Sequence, residues 1–194
     1  MLKEKFKFFE NWYAKKLSFL NLDPNHITLG SILMAVLAAY FIFKKEEIAL
    51  LFVFCAFFFD FLDGAIARER KKTSPFGAYL DGISDRIVEF FILSPFLFVE
   101  ESKIAAIIIL FFGTFLHSFS KAYSDHRKVL NPKTAAKLKS FFGRVERAIL
   151  IILSTILFLL KNPVYVYLMW IGAFLSVLAF MYLQLQILKF SNRR

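Results

Sequence analysis

The sequence predicts an all-α integral membrane protein: six transmembrane helices preceded by an N-terminal amphipathic interfacial helix. Three observations predict it. Hydrophobic residues make up 58% of the 194 positions, and mean hydropathy is +0.59, too apolar for a soluble domain of this size. The apolar residues fall into six runs of roughly the twenty residues that a helix needs to cross a bilayer. Between the runs lie charged breaks such as Asp23-Pro24-Asn25 and Lys71-Lys72-Thr73-Ser74-Pro75.

Residues 1–22 read as a juxtamembrane segment and 23–194 as one membrane domain. In the first, Leu2, Phe6, Phe9, Tyr13, Leu17 and Leu20 recur every three or four positions, with Lys3, Lys7, Glu10 and Lys15 off that stripe. Trp12 adds an interfacial anchor, so residues 2–20 are expected as a helix lying in the headgroup layer. Asp23-Pro24-Asn25 then ends it and caps the next helix. The spans follow at about 27–43, 48–70, 76–99, 104–126, 143–160 and 163–188. Between the second and third, Ser74 is a cap and Pro75 suits the first helical position. The 127–139 stretch, with Asn131-Pro132 and several lysines, reads as a solvated connector.

Charge orients the spans. The N-terminal segment, the 68–72 turn, the 127–139 loop and the C-terminal tail hold 17 of the 25 Lys and Arg residues. The opposite ends hold only Lys44, Lys45, Lys103 and Lys161. The positive-inside rule therefore places both termini and the 60–85 turn on the cytoplasmic side of the cell membrane. The net charge of +10 flanks apolar spans; it fits anionic lipid headgroups rather than nucleic acid. A lone Cys55 permits no internal disulfide. No cleavable signal peptide is expected, because the N-terminus is lysine-rich and lacks an apolar core.

The chemistry concentrates between Asp60 and Asp85. Asp60, Asp63, Gly64 and Ala67 share one helix face, with Arg68 beside them, and Gly77, Asp81 and Asp85 share another. Two helices are thus expected to face each other across four carboxylates, each costing about 2.5–3.5 kcal/mol at the centre of a membrane helix. A bound divalent cation, or a pair of them, removes their repulsion, and an all-oxygen set suits Mg²⁺ or Mn²⁺ over zinc. Gly64, Ala67 and Gly77 leave room for a ligand, and Arg68 offers a fork to phosphate. The plainer alternative is small residues for helix packing and acids paired with Arg68 and Arg86.

A second set is basic. His117, Lys121 and Asp125 share a face at the end of the fourth span, and Arg144 and Arg147 open the fifth, a turn apart. Lys121, Arg144 and Arg147 are candidates to grip a phosphate. Positive-inside anchors, with Glu146 paired locally, are the plain alternative.

The pattern Asp-x2-Asp-Gly-x2-Ala-Arg-x8-Gly-x3-Asp-x3-Asp over residues 60–85 resembles the signature of the CDP-alcohol phosphotransferases, with all eight positions present. The hydropathy of the rest is similar to that family's six-helix layout. The resemblance implies transfer of a phosphoalcohol from a CDP-alcohol to an acceptor hydroxyl, releasing CMP. It implies a two-metal Mg²⁺ or Mn²⁺ site on Asp60, Asp63, Asp81 and Asp85, with Asp85 as the catalytic base. Nucleotide binding would fall to Asp60, Asp63, Gly64, Ala67, Arg68, Gly77 and Asp81. The implied donor is CDP-diacylglycerol or CDP-archaeol, and the implied assembly is a homodimer. A Pro-Asn-x-x-Thr-like turn near the nucleotide is matched by Pro24, Asn25 and Thr28, beside the plain reading of His26 and Thr28 as residues of a helix start.

Members that take inositol phosphate carry a Ser-aromatic-x-Lys-Ala-Arg-Ala-Glu-like stretch in the fourth span and paired arginines at the fifth. Ser118, Phe119, Lys121 and Ala122 match, Asp125 replaces the Glu, and Tyr123 stands where Arg is expected. Inositol phosphate is therefore the first acceptor expected, bound by Lys121, Arg144 and Arg147. Glycerol phosphate or serine as acceptor, and CDP-inositol as donor, are the alternatives. A divalent-cation transporter would also place acids in membrane helices, but at mid-membrane depth and in a broken-helix repeat. A structural membrane scaffold would need no buried acids.

Overall fold

Along Pro24–Phe43 and Val164–Ser191 the buried residues are mostly small and many large ones are exposed, the reverse of a water-soluble bundle. The computed structural model describes residues 23–69, 74–130, 138 and 140–191. The amphipathic helix expected over 2–20 lies outside the described residues, as do most of the 127–139 connector and the side chains of Ala67 and Arg68. The helices are α1 (Pro24–Phe43), α2 (Ala49–Glu69), α3 (Pro75–Leu93), α4 (Lys103–His126), α5 (Arg144–Leu159) and α6 (Val164–Ser191). No strand occurs among the described residues.

Four helical stretches are long and apolar enough to cross a membrane: Pro24–Phe43, Ala49–Ile66, Lys103–His126 and Val164–Ser191. The other two fall short for a physical reason. The 19 residues of α3 include Asp81, Asp85, Arg86 and Glu89, and α5 has 16 residues and opens on Arg144, Glu146 and Arg147.

The chain divides into two compact units, Met1–Ile92 and Leu93–Arg194. In the first, α1 and α2 form a hairpin. Asp23 caps α1 by accepting from Asn25 N–H at 2.9 Å, with Pro24 at the first helical position. Its buried residues Pro24, Thr28, Ser31, Ala35, Ala38 and Ile42 alternate by four and three, the spacing of a narrow packing seam. Leu29, Leu33, Tyr40 and Phe43 are exposed on the outer side, as suits lipid. Lys45, at φ 58°, turns the chain into α2. There Ala49, Val53, Ala56, Asp60 and Asp63 are buried with the same alternating spacing. The acids therefore continue a small-residue seam. Ser74 Oγ accepts from Gly77 N–H at 2.9 Å and starts α3 with Pro75 next, as the sequence predicts.

In the second unit a 3₁₀ turn, Ser94–Phe98, precedes α4. Phe96 is fully buried and packs on Phe158 and Tyr165, with ring centroids 5.1 and 6.2 Å away. The middle of α4, Ile109–Leu116, is π-helical. Gly172 of α6 admits close neighbours: a Cβ there would lie 2.8 Å from Leu150 and 3.2 Å from Ile109. Gln184 of α6 donates to Ser120 Oγ at 3.0 Å.

Candidate active site

The first unit gathers the carboxylates. Asp60, from α2, and Asp81 and Asp85, from α3, each offer an oxygen within 4.8 Å of the others. Asp60 and Asp85 are buried and Asp81 half-buried. Like charges this close in an apolar setting repel strongly. An all-oxygen donor set of this kind fits a hard divalent cation.

Asp63 lies beside that trio, near enough to Asp81 and Asp85 to repel them. It is 2% exposed, and its carboxylate accepts from Thr28 Oγ1 of α1 and from the Gly64 amide. The Thr28 hydroxyl also lies 3.1 Å from Pro24 O, which fixes its rotamer at the start of α1. Three helix ends thus meet here, since a Cβ on Gly77 would lie 3.6 Å from Asn25 Oδ1 and 3.2 Å from Ser74 Oγ. A Cβ at position 77 would crowd the Ser74 hydroxyl that starts α3 and touch Asn25 of α1.

Asp85 accepts from Arg86 Nη1 at 2.8 Å, and the same nitrogen reaches Gly82 O at 2.9 Å. One element of the plain alternative, an acid paired with Arg86, is therefore present. Ser84 Oγ donates to Asp81 O at 3.0 Å. Glu89, one turn beyond Asp85, is 1% exposed and adds a buried acid on the same face. Thr28 and Glu89 are the two residues that sequence reasoning left out of the acid site. For Glu89 the signal was available, because it continues the four-residue spacing of Gly77, Asp81 and Asp85. For Thr28 the signal was the Pro-Asn-x-x-Thr pattern alone.

The second unit holds the basic candidates. Arg144 and Arg147 occupy the first turn of α5, half-buried and 3% exposed respectively. Glu146 Oε2 accepts from Gly143 N–H at 2.9 Å and closes the helix start. Lys121 lies exposed on α4, unlike Arg147. Two arginines a turn apart, one of them buried, form a forked donor set suited to a phosphate.

These features agree with comparisons to known proteins. A sequence profile described as CDP-alcohol phosphatidyltransferase matches residues 21–178. The archaetidylinositol phosphate synthase of Pyrococcus horikoshii is 29% identical over 113 residues, covering 58% of this chain and 60% of that protein. The chain therefore aligns with somewhat under two thirds of that relative's length. The crystal structure of Mycobacterium tuberculosis phosphatidylinositol phosphate synthase with CDP-DAG bound superposes with a TM-score of 0.75 at 25% identity, covering 92% of each chain. A second structure of that enzyme, with manganese and citrate, gives a TM-score of 0.76 at 24% identity, covering 92% of this chain and 88% of that one. With its membrane-crossing helices, the chain is an integral membrane protein of the CDP-alcohol phosphatidyltransferase family.

Proposed function

We propose that this protein transfers a phosphatidyl or archaetidyl group from a CDP-lipid to a hydroxyl of an anionic phosphoalcohol, inositol phosphate first, releasing CMP. The observation that carries the reading is the cluster of Asp60, Asp81 and Asp85, three carboxylate donors within 4.8 Å of one another inside a family-matched segment. Asp60, Asp81 and Asp85, with Asp63 beside them, would hold Mg²⁺ or Mn²⁺, and four carboxylates offer enough oxygens for a pair of such ions. When bound, the cation supplies positive charge against the diphosphate and the departing CMP.

The chain's own residues do the rest. The acceptor hydroxyl oxygen attacks the lipid-side phosphorus, the bond from that phosphorus to the CMP oxygen breaks, and the hydroxyl proton goes to Asp85. Arg86 engages one oxygen of Asp85, which aims the carboxylate while its second oxygen serves the reaction. Gly64 and Gly77 allow the nucleotide close to the backbone, and Ala67 and Arg68 complete its site, Arg68 on the phosphates. Arg144 and Arg147, with Lys121, take the acceptor's phosphate. Thr28 holds Asp63 in place.

In the membrane, α3 and α5 cross as well as the four apolar spans. Both termini and the acid site face the cytoplasm, and the protein assembles as a homodimer. Purified protein in CDP-lipid vesicles tests the reading through CMP release with inositol phosphate, glycerol phosphate, serine and free inositol, each with and without chelator. CMP release that needs a divalent cation and prefers a phosphorylated acceptor supports it. Equal turnover in chelator, or best turnover with serine, refutes it.

A further inference from the structure

Gly113 lies in the middle of the π-helical run of α4, whose closing amide, His117 N–H, donates five residues back to Phe112 O. Such wide turns are rare and tend to mark functional positions. Gly113 also faces a residue of α5 and a residue of α6. A Cβ there would lie 2.9 Å from Arg147 Cδ, 2.7 Å from Ser176 Oγ and 3.2 Å from Ser176 Cβ. The stem of Arg147 thus fills the space that any other residue at 113 would claim. Neither neighbour yields freely: Arg147 is 3% exposed, and Ser176 Oγ is tied to Gly172 O at 2.7 Å. A guanidinium's aim is set by its stem, because the four-bond chain is what packing can hold.

We propose that Gly113 is a positioning residue for the acceptor: the widened, side-chain-free turn seats the Arg147 stem so that its guanidinium meets the acceptor's phosphate. The inference rests on the reading of Arg147 as an acceptor ligand. Gly172 provides the contrast within the same unit, since a Cβ there meets Leu150 and Ile109 and no arginine.

The test uses the full chain in phosphatidylcholine vesicles containing CDP-diacylglycerol, with inositol phosphate varied and CMP release measured. Gly113→Ala should raise the acceptor KM about tenfold or more while the donor KM stays within about twofold, the split expected from losing one charge-assisted contact. Gly172→Ala should leave the acceptor KM within about twofold. In an Arg147→Ala background, adding Gly113→Ala should change the acceptor KM by less than about twofold, because the displaced stem is gone. If Gly113→Ala gives no folded protein, the variant read is Gly113→Ala/Ser176→Ala against Ser176→Ala, which removes the 2.7 Å clash and keeps the one with Arg147. An unchanged acceptor KM in Gly113→Ala beside a raised one in Arg147→Ala overturns the inference alone. So do additive effects of the two substitutions, or a Gly172→Ala effect equal to that of Gly113→Ala. An unchanged acceptor KM in Arg147→Ala overturns the acceptor reading and this inference with it.

Discussion

Replacing Thr28 with Val removes one hydroxyl while keeping the β-branch and nearly the volume, so it isolates a single hydrogen bond. Asp63 is 2% exposed and accepts from Thr28 Oγ1 and the Gly64 amide. Without the hydroxyl, a buried carboxylate is one donor short. A hydrogen bond to a charged group contributes about 1.5–3 kcal/mol, and about 1.4 kcal/mol is a factor of ten. If the loss falls on the placement of Asp63 in the active state, kcat at saturating Mg²⁺ should drop roughly ten- to hundredfold. Thr28→Ser, which keeps the donor, should retain most of the activity. In Thr28→Val/Asp63→Asn, the loss should be no greater than for Asp63→Asn alone, because the two residues act through one contact. CMP release under saturating donor and acceptor reads all four proteins, and thermal unfolding in detergent shows whether each is folded. Wild-type kcat in Thr28→Val, or a Ser variant as impaired as the Val variant, would refute the reasoning.

Asp60→Asn, Asp81→Asn and Asp85→Asn should each cut CMP release by orders of magnitude while the protein still inserts and purifies; activity in chelator equal to that in Mg²⁺ would sink the metal site. Arg147→Ala should raise the acceptor KM about ten- to hundredfold, from the loss of a charge-assisted contact, and leave the donor KM nearly unchanged; initial rates over a matrix of donor and acceptor concentrations check both. In a Cys55→Ala background, single cysteines at Lys71 and Lys133 should react with a membrane-impermeant maleimide only from the cytoplasmic side, and one at Lys103 only from the other. Labelling of position 71 in intact cells would overturn the orientation.

Features that depend on neighbours along one helix were legible. The four-residue spacing of Gly77, Asp81 and Asp85 puts them on one face whatever the rest of the chain does, and Ser74-Pro75 and Asp23-Pro24 start their helices as helix-end chemistry requires. Which further side chains meet the acids was less legible. Thr28 and Asp63 are 35 residues apart, and no periodicity relates them. Adjacent residues do not face each other on a helix, so spacing alone did not place Arg86 on Asp85; the guanidinium curls back to Gly82 O and reaches the carboxylate on the way. The π-helical turn left no trace either, because Ile109–Leu116 is apolar almost throughout and shows no stripe from which a period can be read.

The two helices that fall short of a membrane span by composition both carry candidate site residues. α3 carries Asp81 and Asp85, and α5 carries Arg144 and Arg147. At about 2.5–3.5 kcal/mol per charge at a helix centre, neither would be expected to insert on its own. By contrast, α1, α2, α4 and α6 are apolar enough to cross. Alanine, serine and glycine lie on the buried sides of α1 and α6, at Ser31, Ala35 and Ala38 and again at Gly172, Ala173 and Ser176. A scaffold that needed only tight packing would carry this seam through to its end. Here the seam of α2 runs instead through Asp60 and Asp63, where alanine would carry no charge to desolvate. Costly acids in place of small residues along an otherwise regular seam favour a site over a mere packing interface.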